Sequence, residues 1–208
     1  MKYIPSILLF FFVISFSSCS TKTVESELPE PNPPTPVIPE EPTPEKEKML
    51  WFDAEANFER FSKKENITYY LDLAKSTGFN KIVVDVRPVQ GDALFKSSYL
   101  TPLTDLAGTH IERDWNYLQF FIDEAHKREL KVTVSATIFT AGLPSSKNGM
   151  GYRDDTWDGK TCLEYTKDQG LIDIKDDKTK VSAFLNPVLP EVQDFCLNFI
   201  KELVTNYN

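Results

Sequence analysis

The fold of this chain is decided by the segment Lys81-Ile82-Val83-Val84-Asp85-Val86-Arg87-Pro88-Val89-Gln90-Gly91-Asp92-Ala93-Leu94-Phe95. Its β-branched, apolar first half predicts a buried strand, and Pro88 predicts where that strand ends. Asp85 and Arg87 lie two positions apart, so a regular extended backbone would point both side chains to one face. Buried strands seldom carry an acid and an arginine unless the two are paired or face a cleft. In parallel α/β folds that cleft lies at the carboxyl ends of the strands.

From Met49 onward the sequence alternates between strand and helix patterns. The predicted elements are strands at Met49–Phe52, 81–87 and 131–138, and helices at 66–75, after an Asp114 cap, and from Pro190-Glu191. Apolar stripes mark the last two helices: Leu118, Phe121, Ile122 and Ala125, then Val192, Phe195, Cys196, Phe199, Ile200 and Leu203. Gly78 predicts the end of the first helix. After a long polar segment at 142–170, residues 171–174 and 180–185 predict a small hairpin.

Repeated strand–helix units predict a parallel sheet with right-handed crossovers, either an open doubly wound sheet or a (β/α)8 barrel. No glycine-rich phosphate loop follows the first or second strand, which argues against a nucleotide-binding sheet, and no cofactor is predicted. Long polar and aromatic loops after the strands favour the barrel. A barrel needs about 250 residues, whereas the predicted globular part covers 49–208. The expected α/β fold is therefore the first part of a barrel, with about three to four βα units.

Residues 1–19 predict an export signal that is removed from the fold. Residues 7–16 form an apolar run that is too short to span a membrane as a mature helix. The run ends Phe16-Ser17-Ser18-Cys19, which resembles a bacterial lipobox with Phe16 in place of the usual Leu. This resemblance predicts lipidation of Cys19; the alternative is an ordinary secretory signal with an incidental cysteine.

Residues 20–48 predict a tether. Eight prolines lie between Pro29 and Pro44, mixed with Glu and Thr. Such a segment cannot bury apolar area and tends to an extended, disordered conformation. The alternative is a ligand for a proline-binding module. With the lipid anchor, the tether predicts an exported domain held to a membrane of the bacterial cell envelope, at the outer membrane or cell surface.

Charge and titratable residues limit the other partners. The net charge is −8 and no basic patch is present, so nucleic acid is not an expected partner. His110 has no neighbour at metal-ligand spacing and His126 is expected to be structural, so no metal site is predicted. Cys162 and Cys196 either pair in an oxidising compartment or stay free, and Cys196 falls on a core stripe.

Residues from about 51 to 208 resemble the N-terminal half of the glycosyl hydrolase-like 10 family, formerly domain of unknown function 187. The resemblance rests on motifs in the same order and spacing: Val86-Arg87-Pro88, Gly91-Asp92-Ala93-Leu94-Phe95, Tyr99, Phe121-Ile122-Asp123-Glu124-Ala125-His126-Lys127-Arg128, Leu185-Asn186-Pro187 and Pro190-Glu191-Val192. It implies a (β/α)8 barrel related to glycoside hydrolases, often on bacterial lipoproteins. In relatives the next strand carries an Asp-Gly-Ile segment followed by an acid, so the second catalytic carboxylate is expected beyond Asn208.

The resemblance implies a membrane-anchored glycoside hydrolase-like protein that acts on a polysaccharide or glycan. Glycosidases normally hydrolyse the bond with two carboxyl groups, one on each side. Two other functions stay open: a carbohydrate-binding barrel without hydrolysis, and an inactive truncated product. A fold alone does not decide among them.

Asp85 is the candidate catalytic carboxyl because it lies on a barrel strand. Arg87 is expected to hold it ionised by lowering its pKa. The alternative is a structural ion pair in the barrel interior. At the strand end, the planar guanidinium of Arg87 is expected either to contact substrate or to serve the structure alone.

Further candidates for substrate binding lie in loops at the same rim. Asp92 is expected to bind sugar hydroxyls or to satisfy amides of its own turn. Asn186 is expected to hydrogen-bond a sugar or to cap the chain before the following proline. Asp53 and Glu55 follow the first strand, either as site residues or as solvated loop acids.

Aromatic residues in the long loop after the third strand are the last candidates. Trp157 is expected to stack on the apolar face of a sugar ring, together with Tyr152 and Tyr165. The alternative is a satellite core beneath the loop.

Overall fold

A computed structural model describes residues 46–207. Strands and helices alternate in its first part, and short strands then precede a final helix. Apart from short 3-10 turns, the elements in chain order are β1 (Met49–Phe52), α1 (Lys64–Ser76), β2 (Lys81–Arg87), β3 (Asp105–Leu106), β4 (Thr109–His110), α2 (Tyr117–His126), β5 (Lys131–Ala136), β6 (Thr140–Gly142), β7 (Leu163–Thr166), β8 (Gly170–Asp173), β9 (Ala183–Phe184) and α3 (Pro190–Asn206).

The centre of the fold is a parallel sheet of three strands in the order β1-β2-β5. Phe52 lies opposite Val84, and Val84 lies opposite Val134, so the apolar halves of the strands are in register. Parallel strands joined through helices are the units that the sequence predicts, and the α/β class is confirmed. β5 stops two residues before the predicted end at 138, because the chain bends there and its next carbonyl groups turn towards Arg87.

The first two helices cover one face of the sheet. Ile67 and Leu71 of α1 and Phe121 of α2 are completely buried, as the helical stripes predict. The rings of Phe52 and Phe121 meet edge-to-face, with centroids 5.2 Å apart. Burying such a side chain stabilises the fold by about 1.5–3 kcal/mol, so this aromatic contact fixes α2 on the sheet.

The helix ends agree with the sequence in one case and correct it in another. Gly78 follows α1 with a φ of +87°, as expected of a glycine after a helix. The predicted cap at Asp114 is wrong, because α2 begins at Tyr117. The cap is Asn116, whose Oδ1 accepts a hydrogen bond from the Gln119 amide at 3.2 Å.

The opposite face of the sheet is exposed at its two edge strands in the described residues. The register places Trp51, Val83 and Thr133 side by side on this face. Trp51 is 57% exposed and Thr133 is exposed as well, whereas Val83 on the central strand is buried. Two of these three strands, β1 and β5, form the edges of the sheet.

The hairpin predicted from 171–174 and 180–185 is wrong. β8 pairs instead with β7, a strand inside the segment that the sequence assigns to a polar loop. The alternation of Leu163 and Tyr165 with polar residues suits a strand with one open face, and Gly170 supplies the turn with a φ of +74°. β9 pairs with β6, so the end of the long segment after β5 lies beside its start.

α3 begins at Pro190 as predicted and packs on the segments that follow β2 and β5. Val192, Cys196 and Phe199 are buried on its inner face, while Phe195, Ile200 and Leu203 are half-buried. Its C-terminal end is held by Glu202, which accepts hydrogen bonds from Ser97 and from the Ser98 amide. Cys162 and Cys196 are free thiols.

Residues 47 and 48, at the end of the predicted tether, contact the sheet. Glu47 forms ion pairs with Lys81 at 3.1 Å and with Lys131 at 3.5 Å, and the Lys48 amide donates to Asn80. The predicted signal, Cys19 and the tether up to residue 45 lie outside the described residues. Among the residues that are described, no helix has the length and apolar character needed to cross a bilayer.

Candidate functional site at the carboxyl ends of the strands

Arg87 ends β2 in the interior of the protein, with no exposed surface. Its guanidinium donates to three backbone carbonyl groups after β5: those of Thr137, Ile138 (2.9 Å) and Thr140 (3.0 Å). Phe199 of α3 covers it, with the ring centroid 5.1 Å away, and burial lowers the pKa of Arg87 to about 10. Arg87 therefore holds two segments against the end of β2: the loop that follows β5, and the helix α3. Direct contact with a substrate does not fit this position.

Asp85 has the opposite environment to the one predicted. A β-bulge between Asp85 and Arg87 breaks the regular alternation, because Asp85 lies opposite Ser135 and Arg87 opposite Ala136. The guanidinium turns to the carbonyl groups and forms no ion pair with the carboxylate. Burial raises the pKa of Asp85 to about 6. Hydrogen bonds from the backbone N–H groups of Ala54 and Arg87 oppose this rise only in part.

Asp53 and Glu55 follow β1 at the same edge of the sheet. Their negative charges contribute to the raised pKa of Asp85, so the three acids lie within electrostatic reach of each other. The side chain of Asp53 accepts a hydrogen bond from the Ala56 amide at 2.7 Å and shapes the turn after β1. Glu55 is exposed. Asp53 thus stabilises the turn after β1, and its charge also helps to raise the pKa of Asp85.

Asp92 is 3% exposed and lies in the loop that returns from the end of β2. Its Oδ2 accepts hydrogen bonds from Gln90 Nε2 at 3.0 Å and from Arg153 Nη2. Its Oδ1 is buried without a hydrogen-bond partner among the described residues. A buried carboxylate oxygen without a donor is unfavourable by itself, and a ligand hydroxyl group would satisfy it.

Arg153 is the site residue that sequence reasoning missed. It lies in the polar segment after β5, where periodicity carries no signal. It donates to Thr101 Oγ1 at 3.0 Å as well as to Asp92, and so joins the loop after β2 to the loop after β5. The sequence separation of 61 residues puts this pair beyond any local pattern.

Asp92 and Arg153 line two cavities. One has a volume of about 270 Å³ and is lined also by Tyr99 and Trp157; the other, of about 240 Å³, is lined also by Asn148. Tyr99 is 48% exposed. Trp157 is half-buried, packs edge-to-face on Phe195 at 4.8 Å and still faces the larger cavity. This surface, called the Asp92 cleft below, combines aromatic rings with a charged pair.

Asn186, Tyr152 and Tyr165 are not gathered at this cleft. Asn186 Oδ1 accepts a hydrogen bond from the Val188 amide at 3.2 Å, which is the capping arrangement. The hydroxyl of Tyr152 donates to the Lys175 carbonyl at 3.0 Å, and Tyr165 is 78% exposed on β7. Their local roles are structural or solvent-facing.

His110 is paired with acids on the surface. Its Nδ1 lies 2.8 Å from Asp105 Oδ1, and this contact raises the pKa of the imidazole. In the described part of the chain no three residues among His, Cys, Asp and Glu are arranged to hold a metal ion.

The family model that matches this chain is glycosyl hydrolase-like 10, over residues 47–208. The chain belongs to this family, and the resemblance seen in the sequence is confirmed. Among curated relatives, an S-layer-related protein of Niallia circulans is 32% identical over 173 residues, 78% of this chain and 10% of that protein. Glycosyl hydrolase DigH of Escherichia coli K12 is 30% identical over 139 residues, 66% of this chain and 30% of that protein. The chain thus spans less than a third of either relative.

Solved structures show weaker similarity. A hypothetical protein from Ruminiclostridium thermocellum has 18% identity and a TM-score of 0.48, over 76% of this chain and 71% of that one. An α-fucosidase of Thermotoga maritima in complex with a mechanism-based inhibitor has 15% identity and a TM-score of 0.40, over 75% of this chain and 30% of that one.

Proposed function

We propose that this chain is part of a membrane-anchored glycoside hydrolase that cleaves a polysaccharide or glycan with a pair of carboxyl groups. Membership of the glycosyl hydrolase-like 10 family and the DigH relative support the substrate class. The observation that carries the mechanism is Asp85: a carboxyl group at the carboxyl end of the central strand whose pKa is raised to about 6. Such groups are the acids of glycoside hydrolysis.

In this mechanism Asp85 keeps its proton up to a pH of about 6 and gives it to the leaving oxygen of the glycosidic bond. The acids Asp53 and Glu55 help to keep the proton on Asp85, because a second negative charge nearby is unfavourable. The partner carboxyl group comes from the strand that follows in the longer relatives. Its distance from Asp85 decides between retention and inversion.

The Asp92 cleft holds the sugar. Tyr99 and Trp157 offer aromatic faces for the apolar side of a ring, and the unpartnered Oδ1 of Asp92 accepts a hydrogen bond from a sugar hydroxyl. Arg153 donates to the other oxygen of Asp92 and so holds the carboxylate in position.

The exposed edge strands of the sheet fit a (β/α)8 barrel. Trp51 and Thr133 lie where the interior layer of a barrel would be covered by further strands. We place Asp85 and the Asp92 cleft at the carboxyl rim of that barrel, and the lipid at Cys19 holds it to the envelope membrane through the tether.

A reducing-end assay of the native-length protein on a panel of glycans tests this proposal. Hydrolysis of at least one polysaccharide is expected, with a rate that falls as the pH rises above about 6 because Asp85 loses its proton. Glycan binding without new reducing ends would leave the carbohydrate-binding barrel as the function and refute the enzyme.

A further inference from the structure

A third cavity is lined by the chain that directly follows Asp92. It has a volume of about 360 Å³, within the range of roughly 300–1,000 Å³ typical of small-molecule sites. Its walls are mainly apolar and aromatic: Leu94, Phe95, Leu103, Trp115 and Tyr117. Neither Asp85 nor Asp92 lines it.

Arg113 is the partly buried charged group of this cavity, and it has no counter-ion among the described residues. Its guanidinium reaches the carbonyl oxygens of Leu103 at 3.4 Å and of Phe58 at 3.3 Å, both long hydrogen bonds. Its Nε is buried with no acceptor among the described residues. No carboxylate in residues 46–207 forms an ion pair with it. Arginine carries five N–H donors, and three of those of Arg113, the buried Nε–H among them, have no acceptor.

The ring contacts of Arg113 do not replace an anion. The guanidinium lies 4.8 Å from the centroid of Phe58 and 5.5 Å from that of Tyr117. Rings attract the cation weakly, by about 0.5–2 kcal/mol, and accept none of its in-plane hydrogen bonds. Burial accordingly lowers the pKa of Arg113, as expected for a cation whose hydration is not replaced.

The other charged side chains of the cavity turn to solvent. Glu112 is 83% exposed and lies 3.7 Å from His110. Lys96 is exposed as well. A ligand inside the cavity would therefore meet Arg113 as its main charged partner.

We propose that this cavity is a binding site for a small aromatic carboxylate. The carboxylate receives the paired N–H groups of Arg113, for which the planar guanidinium fork is suited. The flat body of the ligand packs against Trp115, Phe95 and Leu103. An anion without an apolar body, such as inorganic phosphate, would leave these walls uncovered.

Isothermal titration of the full chain with benzoate tests the site, with benzamide, acetate and inorganic phosphate as matched probes. Benzoate is expected to bind saturably, and each of the other three at least about tenfold more weakly, since each lacks either the charge or the ring. The resonance of the Arg113 Nε–H is expected to shift on titration with benzoate, which requires no variant. Arg113→Gln is expected to abolish benzoate binding. Arg60→Gln removes an arginine that also lies over a tyrosine ring but outside the cavity, and is expected to leave binding unchanged.

The proposal is overturned if benzoate fails to bind, or if acetate, benzamide or phosphate binds as tightly. An unshifted Arg113 Nε–H resonance in the presence of bound benzoate would also overturn it. Because the readout is binding of a small molecule, these outcomes are independent of glycan hydrolysis.

Discussion

Asp85 and Arg87, two positions apart on one strand, form no ion pair: a β-bulge separates them, and the guanidinium of Arg87 binds three backbone carbonyl groups instead. Asp85 is left without a cation, and its burial, with a smaller contribution from the nearby acids, raises its pKa to about 6. Two residues that look like a charged pair in the sequence thus have separate environments in the structure. Arg87 holds the loop after β5, and Asp85 places a carboxyl group of raised pKa near the same end of β2.

Replacing Arg87 is expected to destabilise the fold. Arg87→Met leaves buried carbonyl groups without donors, which costs at least about 3 kcal/mol. The free energy of unfolding from urea titration measures this loss. Arg60→Met, at an exposed arginine, is the control and is expected to cost less than about 1 kcal/mol. Unchanged stability together with lost glycan binding would restore the substrate role that the sequence predicts for Arg87.

The raised pKa of Asp85 makes stability depend on pH. Its pKa is about 6 in the folded state and about 3.9 in the unfolded chain, so between these values the folded state holds the additional proton. Stability is therefore expected to fall as the pH rises from about 4 to 6 and then to level off. With allowance for its partial exposure, the contribution is about 1–2 kcal/mol.

The difference between wild type and Asp85→Asn isolates this contribution, because other titrations cancel. Unfolding midpoints in urea at several pH values between 4 and 8 supply the measurement. In Asp85→Asn, the fall in stability between about pH 4 and 6 that is due to Asp85 is expected to be absent. Parallel profiles for the two proteins would show that Asp85 titrates at an ordinary pKa.

Gly149 is expected to tolerate no side chain. Its φ of +114° is unfavourable for other residues, and a Cβ would lie 2.6 Å from the Gln90 carbonyl oxygen and 2.9 Å from that of Ala141. Gly149→Ala should destabilise the protein by more than about 2 kcal/mol and loosen the loop beside Asp92. Gly159→Ala is the matched control, since its φ is also positive but nothing lies within 4 Å; it should cost about 1 kcal/mol. Equal losses in thermal unfolding would refute the steric reason.

Asp92 and Arg153 are expected to act as a unit in glycan binding. Asp92→Asn and Arg153→Gln should each lower affinity about tenfold or more, and the double variant should lose little beyond either single one. Affinity electrophoresis or calorimetry with the glycan identified from the panel measures this coupling. Asp168→Asn, in the exposed turn between β7 and β8, should have no effect. Additive losses would mean that the pair does not cooperate.

The sequence predicts those parts of the fold whose position depends on a local hydrophobic pattern. The apolar, β-branched stretch at 82–86 and the stripes containing Leu71 and Phe121 locate the sheet and the helices that cover it, because burial imposes those periods. Prediction from the sequence fails for contacts between residues that lie far apart along the chain. The bulge after Asp85, the contact of Arg153 with Asp92 and the pairing of β7 with β8 depend on segments whose meeting no local period records.

The most direct test of the proposed function is the rate at which the native-length protein with Asp85→Asn releases reducing ends, relative to the wild type. Loss of a catalytic acid is expected to lower this rate by about 10²–10⁴-fold, with glycan affinity changed little because the Asp92 cleft is intact. An unchanged rate in a folded variant would contradict the assignment of Asp85 as the catalytic acid.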